Sequence, residues 1–416
     1  MSKTKSYTIS KQLVMEAYQR VKENRGAAGV DQQSLENFDK DLKDNLYKIW
    51  NRMSSGTYFP PPVKAVPIPK KTGGERILGI PTVSDRIAQM VVKLTFEPCV
   101  ELHFHENSYG YRPNKSATDA IGITRQRCWK YDFVLEFDIQ GLFDNIGHEL
   151  LLKAVKKHTD NPWVILYIER WLKAPMQMPD GTLIERTKGA PQGGVISPIL
   201  SNLFLHYVFD VWMGKQHPGK PWCRYADDGL VHCRSEQEAQ QLLVSLKHRF
   251  EMCGLELHPE KTKIVYCKDG NRKNQYLTTK FTFLGYDFRQ RSSLNRRTNE
   301  VFQNFSPAVS KAATKSMRAH IRTSGIRNRS DLSLKEIADI YNPILRGWIQ
   351  YYGCYNRGEL RSVMLFFNKI LTAWAMRKYK KLKGHKTRAS LFIRKVQKEN
   401  PQLFSHWEQG LGTGFA

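Results

Sequence analysis

The stretch CRYADDGLVHC, residues 223–233, places two adjacent carboxylates, Asp227 and Asp228, inside a run that otherwise has the pattern of a β-strand. Two unit charges about 4 Å apart repel by roughly 4 kcal/mol at an effective dielectric constant of about 20. A solvated turn would screen much of that repulsion, whereas a partly buried pair requires a cation. Taken alone, Asp-Asp-Gly is better interpreted as a plain hairpin turn. The rest of the sequence decides between a plain turn and a cation site.

The composition favours a globular protein with a polyanionic partner. The chain has 416 residues, of which 41% are hydrophobic, enough for two or three domains. The 65 Lys and Arg exceed the 39 Asp and Glu, and the net charge of +26 indicates nucleic acid or an anionic membrane surface. We expect no membrane span and no signal peptide, because no apolar run is long enough. The seven cysteines form no C-x-x-C pair, which argues for a reducing compartment and against structural zinc.

The basic surplus is concentrated in the last third of the chain. Residues 289–416 contain 25 Lys and Arg but only 7 Asp and Glu. Apolar spacing predicts that this tail is all-helical, and SLKE (333–336) has the form of a capping box. The run MRKYKKLKGHKTR (376–388) is either a solvated helix face or a nucleic-acid contact, and the charge of the whole chain favours the contact.

Helical and strand patterns both occur earlier in the chain, which predicts an α+β fold. Residues 11–50 have helical spacing, 57–82 read as a hairpin with proline punctuation, and 133–139 as a short strand. Residues 197–212 predict one helix, with Ser197 as the N-cap and Pro198 at the first helical position.

Three aspartates stand at the ends of predicted strands. Asp138 closes FVLEFDI (133–139), and Asp227 and Asp228 stand at the hairpin turn. A polymerase that transfers nucleotides needs two divalent cations about 3.5–4 Å apart, and hard cations prefer carboxylate oxygens. Asp144 is a competing candidate, but it lies beyond the strand in a predicted helix.

Glycine-rich and basic segments support the cation-site interpretation. GAPQGGVISP (189–198) is a glycine-rich loop that leads into a helix and permits close backbone approach. Lys70 and Arg76 flank the turn of IPKKTGGER (68–76), where they are suitably charged for a triphosphate. Lys261 and Lys263 follow in LELHPEKTKI. With these neighbours, the plain-turn interpretation of the acidic pair is the weaker one.

The order of these motifs resembles a reverse transcriptase, and specifically the group II intron-encoded kind. LRGWIQYYGCYNRGEL resembles the maturase-specific helical region of that family, also called the thumb, and ENRGAAGVD resembles its N-terminal extension. The resemblance covers roughly residues 11–380. The matching segments are VPIPKKTGGERILGIPTVSDRIAQ, SYGYRPNKSATDAI, FDIQGLFDNI, APQGGVISPILSNLFL, RYADD, LHPEKTKI and FTFLGYDF.

The resemblance implies a right-hand polymerase fold, in which fingers and a palm with an antiparallel sheet precede an all-helical thumb or maturase domain. We therefore expect a helical extension over 1–56, fingers and palm over 57–290, and the thumb with its basic C-terminal segment over 291–416. Many family members end with a Cys-rich HNH endonuclease domain. No paired C-x-x-C resembles one here, so we expect no second-strand cleavage by this chain.

The resemblance also implies roles at the active site. Asp138, Asp227 and Asp228 match the catalytic acids that hold two Mg²⁺ ions. Phe143 matches the bulky residue beneath the incoming sugar, which excludes a 2′-hydroxyl; the alternative is an ordinary core phenylalanine. The other nucleotide-binding matches are Lys70 and Arg76 on the triphosphate, Gln192 and Gly193 beneath the template base and new pair, and Lys261 near the pyrophosphate, with Lys263 as its rival.

Nucleic-acid contacts are implied elsewhere. Arg112 is expected along the template path, with a structural ion pair as the alternative. The expected basic contacts of the thumb are Arg346, Arg377, Lys378, Lys380 and Lys381. The nearby aromatic residues fall on an apolar stripe, which favours core positions over stacking platforms; they are Trp348, Tyr351, Tyr352 and Tyr355.

The implied function is that of an RNA-dependent DNA polymerase that binds group II intron RNA, assists its splicing and copies it during retrohoming. The expected partners are intron RNA, an RNA template with a DNA primer, target DNA and dNTPs, without a membrane, in the bacterial cytosol or nucleoid. Two alternatives remain open: a non-catalytic RNA-binding splicing factor, and a related defence or CRISPR-associated reverse transcriptase. Intact Asp138, Asp227 and Asp228 count against the first.

Overall fold

The computed structural model describes residues 6–69, 73–295 and 297–412. The chain divides into two compact units. The first comprises Met1–Ser116, Glu136–Val231 and Gln240–Lys263, and the second Ala117–Leu135, His232–Ala239 and Ile264–Ala416. Within the described residues, no helix combines the length and the apolar character needed to cross a membrane.

The elements mix helices with short strands, as in an α+β fold. Up to residue 116 they are α1 (Lys11–Glu23), α2 (Leu35–Lys40), α3 (Leu42–Ser54), β1 (Val63–Pro69), β2 (Glu75–Ile80) and α4 (Val83–Glu101). From 117 to 216 they are α5 (Ala117–Cys128), β3 (Phe133–Asp138), α6 (Leu142–Asn145), α7 (His148–His158), α8 (Pro162–Lys173), β4 (Met176–Gln177), β5 (Leu183–Ile184), α9 (Ser197–Leu205), a π-helical turn (His206–Asp210) and α10 (Val211–Gln216).

The remaining elements carry the chain to its basic end. They are β6 (Trp222–Tyr225), β7 (Asp228–Cys233), α11 (Glu236–Met252), β8 (Lys263–Tyr266), β9 (Lys280–Phe283), β10 (Tyr286–Asn295), β11 (Glu300–Val309), α12 (Lys311–Thr323), α13 (Leu334–Tyr352), α14 (Arg361–Lys378), α15 (Lys386–Glu399) and α16 (Ser405–Glu408), with 3₁₀ turns at Ile326–Asn328, Arg357–Leu360 and Lys380–Leu382.

Helix starts in the first unit have local causes in the sequence. The Ser10 hydroxyl accepts a hydrogen bond from the Leu13 amide at 3.0 Å, which caps α1. Ser34 caps α2 in the same way, and Thr82 caps α4. The helices predicted over residues 11–50 are thus confirmed.

Two sheets position the residues of interest. β1 and β2 pair antiparallel up to Pro69↔Glu75, which confirms the predicted hairpin, in a sheet of order β2–β1–β4–β5. A second sheet has the order β6–β7–β3–β8, in which β6 and β7 form an antiparallel hairpin. β3 is the neighbour of β7, and the side chains of Asp138 and Asp228 show that the end of β3 meets the start of β7.

The single helix predicted over 197–212 is interrupted. Its α-helical hydrogen bonding gives way to the π-helical turn at His206–Asp210 before α10 begins. The cap prediction was also wrong by one residue, because Ile196 is the N-cap and Ser197 is the first helical residue. Apolar spacing could not reveal this turn, because nearly every residue of α9 is buried and no polar face marks the period.

The tail is not all-helical from residue 291. β10 and β11 pair from Tyr286↔Val309 to Asn295↔Glu300, so the helical part begins only at Lys311. The predicted boundary at 290/291 falls inside β10, where exposed polar side chains on the outer half of the hairpin hide the two-residue strand period. The other predicted domain limits stay predictions.

Helices of the second unit enclose one apolar core. The predicted capping box is confirmed, since the Ser333 amide donates to the Glu336 carboxylate at 2.7 Å and the Glu336 amide to the Ser333 hydroxyl at 3.3 Å. Three tyrosines surround the buried ring of Tyr286, which favours core positions over stacking platforms. They are Tyr351, Tyr352 and Tyr355, with ring centroids 5.8, 5.6 and 6.0 Å from that of Tyr286.

Candidate active site

The acidic pair stands on a tight hairpin turn. Tyr225 pairs with Asp228 across β6 and β7, so Ala226 and Asp227 form the turn itself. Ala226 has a left-handed backbone with φ of 56°, which is strained for a residue with a side chain. The Gly110 backbone lies against this turn, since a Cβ on Gly110 would come within 2.4 Å of the Ala226 nitrogen. Packing therefore forces the turn into an uncommon shape.

Asp138 joins the pair from the neighbouring strand. It is the last residue of β3, and its carboxylate accepts a hydrogen bond from the protonated Asp228 carboxyl. The Asp138 carbonyl accepts from the His258 amide at 2.8 Å, and the Gln140 amide donates to the Glu256 carbonyl at 2.8 Å. These bonds hold the segment that precedes Lys261 beside the end of β3.

The electrostatics of the three acids call for a cation. Burial raises the pKa of Asp227, and the charge of Asp138 raises it further. Burial and the charges of both other acids also raise the pKa of the Asp228 carboxyl well above its usual range. The Lys261 ammonium, 2.9 Å from the Asp138 carboxylate, opposes both shifts. One lysine beside three clustered carboxylates leaves an excess of negative charge, so the plain-turn interpretation is the weaker one.

The two lysines of the LHPEKTKI segment have different partners. Lys263 pairs with Glu136 at 3.1 Å, whereas Lys261 pairs with Asp138. Glu136 and Asp138 are two residues apart on β3, and therefore on one face of the strand. Only Lys261 touches the acidic cluster in these ion pairs, which favours it over its rival.

The acids have the chemistry that a divalent cation needs, although they do not enclose one. Across the described part of the chain, no three His, Cys, Asp or Glu side chains are arranged as a ready metal cage. Mg²⁺ is usually bound by one or two carboxylates together with substrate phosphates and water. A half-buried set of negatively charged carboxylates that remains open to solvent fits that mode of binding.

Asp144 does not belong to this cluster. It lies exposed on α6, as predicted, and its electrostatic partner is Arg186. Phe143 precedes it with a half-buried side chain, and its carbonyl accepts a hydrogen bond from the Ala190 amide at 2.7 Å. The backbone of Phe143 is therefore tied to the glycine-rich loop, while its role in sugar selection stays a prediction.

The glycine-rich loop is fixed against β2. The Gly79 amide donates to the Gln192 carbonyl at 2.6 Å. A Cβ on Gly193 would come within 2.4 Å of the Gly79 carbonyl oxygen, and the φ of Gly193 is 115°, so this position needs glycine. Arg76 lies exposed on β2, and its charge lowers the pKa of Asp227. Lys70 lies outside the described residues.

The Arg112 side chain forms its contacts inside the protein. Its guanidinium forms an ion pair with Glu101 at 2.6 Å and donates to the carbonyls of His105 and Ser108 at 2.6 and 2.8 Å. Only 6% of its side chain is exposed. The structural ion pair that the sequence left open is the better interpretation of Arg112, since most of its donors have partners inside the protein. The assignment of Arg112 to the template path stays a prediction.

The basic candidates of the thumb lie in the second unit. Arg346 is on α13, where it donates to the Ser405 hydroxyl at 3.1 Å. The others follow one another at the end of α14 and in the next 3₁₀ turn; Arg377, Lys380 and Lys381 are exposed and Lys378 is half-buried. Their contact with nucleic acid stays a prediction.

Two buried polar groups that support the site were missed from the sequence. Gln89 on α4 accepts from the Val195 amide at 2.8 Å, and its amide donates to Asp85 at 2.9 Å. Burial raises the pKa of Asp85 to about 6, although Tyr58 and Trp171 also donate to it. The other group is Arg224 with Asp210. Polar residues inside apolar helical or strand runs were the available signal, since buried polar groups are rarely unpaired.

Comparison with known proteins agrees with this geometry. Residues 68–288 match the family model described as reverse transcriptase (RNA-dependent DNA polymerase), and residues 314–391 match the one described as group II intron, maturase-specific domain. The first match covers more than half of the chain. The chain therefore belongs to the reverse transcriptase family.

The particular branch follows from the second match and from the relatives. Protein YkfC of Escherichia coli (strain K12) is 31% identical over 302 residues, covering 62% of this chain and 74% of that protein. The group II intron-encoded protein LtrA of Lactococcus lactis subsp. cremoris is 25% identical over 436 residues, covering 83% and 69%. A 91 kDa protein in a cob intron of Schizosaccharomyces pombe is 24% identical over 440 residues, covering 88% and 52%. The chain is a group II intron-type reverse transcriptase with a maturase domain.

These matches confirm the predicted fold class, family and enzyme activity. The chain is an RNA-directed DNA polymerase of a family that uses divalent metal ions, and its maturase domain implies binding of intron RNA.

Proposed function

We propose that this reverse transcriptase extends a DNA primer on an RNA template with two Mg²⁺ ions bound by Asp138, Asp227 and Asp228. We further propose that the RNA it copies is its own group II intron, inserted into target DNA by retrohoming. The observation that carries the proposal is the hydrogen-bonded convergence of Asp138 with Asp228, since these residues are ninety positions apart in the sequence.

Each residue of the site has a task in this reaction. When bound, the two ions supply an activated 3′-hydroxyl and neutralise charge on the α-phosphate as it is attacked in line. The acids hold those ions at the joined ends of β3 and β7. Lys261 exchanges its contact with Asp138 for the leaving pyrophosphate, where an ammonium stabilises developing charge. Arg76, together with Lys70, grips the triphosphate.

The nucleotide pocket has a preformed floor. Gln192 and Gly193 are fixed to β2 through the backbone, so the new base pair would meet a rigid surface. Rigid support of this kind lowers the entropy that must be lost when the reacting groups align. Phe143 would stand beneath the sugar, attached through its carbonyl to the same loop.

Intron RNA is the partner proposed for the second unit. Its exposed cations include Arg377, Lys380 and Lys381, and double-stranded RNA is held largely through phosphate and 2′-hydroxyl contacts. Sequencing the RNA that co-purifies with the full chain tests this partner. Enrichment of one group II intron supports it, whereas a random RNA population contradicts it.

Primer extension by the full chain on an RNA template, titrated with Mg²⁺, tests the polymerase site. We expect Asp227→Asn to lower the extension rate by about a thousandfold or more, because several kcal/mol of charge stabilisation are lost. The same variant should be at least as heat-stable as the wild type without metal, because one repelling charge has been removed. Stability gained together with activity lost is the signature of a ligand rather than a structural residue.

Asp144→Asn is the matched control, since it removes an exposed carboxylate six residues beyond Asp138 that lies outside the cluster. It should extend primers at the wild-type rate. Wild-type extension by Asp227→Asn would contradict the proposal, and a wild-type chain without any extension would favour the RNA-binding splicing factor. An intron adjacent to the gene distinguishes the proposal from a defence or CRISPR-associated enzyme.

A further inference from the structure

A buried ion pair lies directly behind the acidic turn. Arg224, on β6, and Asp210, in the π-helical turn, both have side chains with 0% exposure. The guanidinium is bidentate on the carboxylate, with Nε–Oδ1 at 2.8 Å and Nη2–Oδ2 at 2.7 Å. A buried ion pair is weak support for stability, because the desolvation of both charges offsets their attraction. Its position therefore calls for another explanation.

The remaining donors of Arg224 are directed at the turn and its supports. Nη1 donates to the carbonyl of Ala226 at 3.2 Å and to the Asn202 side chain at 3.0 Å. Nη2 also donates to the Ser108 hydroxyl at 2.9 Å. The Ala226 carbonyl belongs to the peptide group that joins Ala226 to Asp227. The rigid, planar guanidinium of Arg224 thus hydrogen-bonds to the peptide group that precedes Asp227, the first metal-binding acid of the turn.

Further hydrogen bonds from neighbouring segments fix Arg224 and the Ala226–Asp227 turn in place. Its backbone accepts from the Tyr109 amide at 2.8 Å and donates to the Asn107 carbonyl at 3.0 Å. The Asn202 amide donates to the Gly110 carbonyl at 2.6 Å, and Gly110 lies against Ala226. The left-handed φ of Ala226 is an unfavourable conformation that persists only where its surroundings over-determine it. These contacts are such surroundings.

The π-helical turn places Asp210 for this task. Its extra residue changes the angular position of the residues that follow it on the helix, and such turns occur frequently at functional sites. Asn202 on α9 and Asp210 at the end of the turn both reach the same guanidinium. The π-helical turn, which the sequence did not reveal, therefore supplies the carboxylate that pairs with Arg224 behind the acidic turn.

We infer that Arg224 is a positioning residue, and that its buried pair with Asp210 holds the Ala226–Asp227 turn in the geometry needed to bind the divalent ions. The inference rests on the proposed role of Asp138, Asp227 and Asp228 as metal ligands. It predicts that removal of the pair weakens metal binding while the fold persists. A purely structural pair would instead change stability and leave the metal affinity alone.

The main test is the double variant Arg224→Met with Asp210→Leu in the full chain. Replacing both charges avoids an unpaired buried ion, and apolar replacement of such pairs is often neutral for stability. Binding of Mn²⁺ alone, followed by electron paramagnetic resonance, should weaken by about tenfold or more, as for other residues that orient metal ligands. The Mg²⁺ concentration for half-maximal primer extension should rise in parallel, while affinity for the template–primer stays unchanged.

Arg249→Met is the matched control. Arg249 donates at 3.0 Å to the carbonyls of Tyr207 and Val208 in the same π-helical turn, and neither bond reaches the acidic turn. Its loss should leave Mn²⁺ affinity at the wild-type value. If the control weakens Mn²⁺ binding as much as the double variant does, general loosening of the π-helical turn explains the effect and the inference is overturned.

Arg224→Lys decides the matter if the double variant does not fold. Lysine keeps the charge opposite Asp210 but lacks the fork that also reaches the Ala226 carbonyl, so Mn²⁺ binding should still weaken. A folded Lys variant with wild-type Mn²⁺ affinity would overturn the inference. Asp227→Asn separates this failure from that of the proposed function: if Asp227→Asn also leaves Mn²⁺ binding unchanged, the metal site itself has been misassigned.

Discussion

Phe143 offers a test at the scale of one residue. Its half-buried side chain follows Leu142 at the start of α6, and its carbonyl is bound by the loop that precedes Gln192. On the hypothesis that the ring blocks a 2′-hydroxyl, Phe143→Ala should raise the ratio of ribonucleotide to deoxyribonucleotide incorporation by about tenfold or more. Single-nucleotide extension with matched dNTP and NTP measures this ratio.

Phe143→Tyr is the control for that experiment, because it keeps the ring and should keep the discrimination. An unchanged ratio in the alanine variant would show that Phe143 does not contact the sugar, and would return it to the alternative of an ordinary packing residue.

For other single residues, the sequence predicted the charge but not the partner. Lys261 and Lys263 have the same charge and are two residues apart, yet Lys261 forms an ion pair with Asp138 and Lys263 with Glu136. Arg112 stands in a matching motif, yet Glu101 and two carbonyls use its donors. Residue type predicted the chemistry in each case, while the partner depended on which side chain the fold brought within about 3 Å.

At the scale of elements, the contact between β2 and the glycine-rich loop is the most sensitive feature. Gly193 combines a φ of 115° with a backbone approach that leaves no room for a Cβ. We expect Gly193→Ala to move the loop away from Gly79. If the loop forms the floor of the nucleotide pocket, as proposed, the KM for dNTPs should rise severalfold. Steady-state primer extension at varied dNTP concentration measures this effect.

Gly181→Ala separates strain from crowding in that experiment. Gly181 has a φ of 89° but nothing within 4 Å of an added Cβ, so its substitution carries only the strain of about 1–2 kcal/mol. Its KM should stay at the wild-type value. Equal KM values in the two variants would mean that close approach at Gly193 has no functional consequence.

Elements also show which sequence patterns were informative. The capping box at Ser333 and Glu336 involves neighbours in the chain, so sequence alone predicted it correctly. The π-helical turn at His206–Asp210 and the strand that continues past residue 290 were not predicted. The π-helical turn lies in a buried segment whose packing overrides local preference. The strand was missed because exposed polar side chains on the outer half of the β10–β11 hairpin hide its two-residue period.

The behaviour of the whole molecule in acid should be affected by a buried histidine. His406 is fully buried in the second unit, its Nε2 donates to the Asn368 side chain at 2.8 Å, and burial lowers its pKa to about 3. Its pKa is about 6.5 when unfolded. The native state therefore favours the neutral imidazole. The free energy of unfolding keeps its full value above pH 6.5 and decreases as the pH falls towards 3, because the unfolded chain takes up the proton first.

Urea unfolding of the full chain at pH 7.5 and pH 5 measures this effect. One such histidine lowers the free energy of unfolding by about 2 kcal/mol at pH 5, and His406→Gln should remove that part of the loss. The exposed His385 provides the control, since His385→Gln should lose as much stability as the wild type. Equal losses in all three proteins would show that His406 titrates alike in both states.

The sequence alone determined the chemistry of this protein. Carboxylates at strand ends and a basic C-terminal third predicted a cation site and a polyanionic partner, and the order of the motifs resembled a reverse transcriptase. Residue types and their order are properties of the chain itself. Tertiary structure decided which lysine pairs with Asp138 and that the side chain of Arg112 is buried. It also decided that Arg224 hydrogen-bonds to the turn before Asp227. Those facts depend on distances between side chains that are remote along the chain, and only folding brings them together.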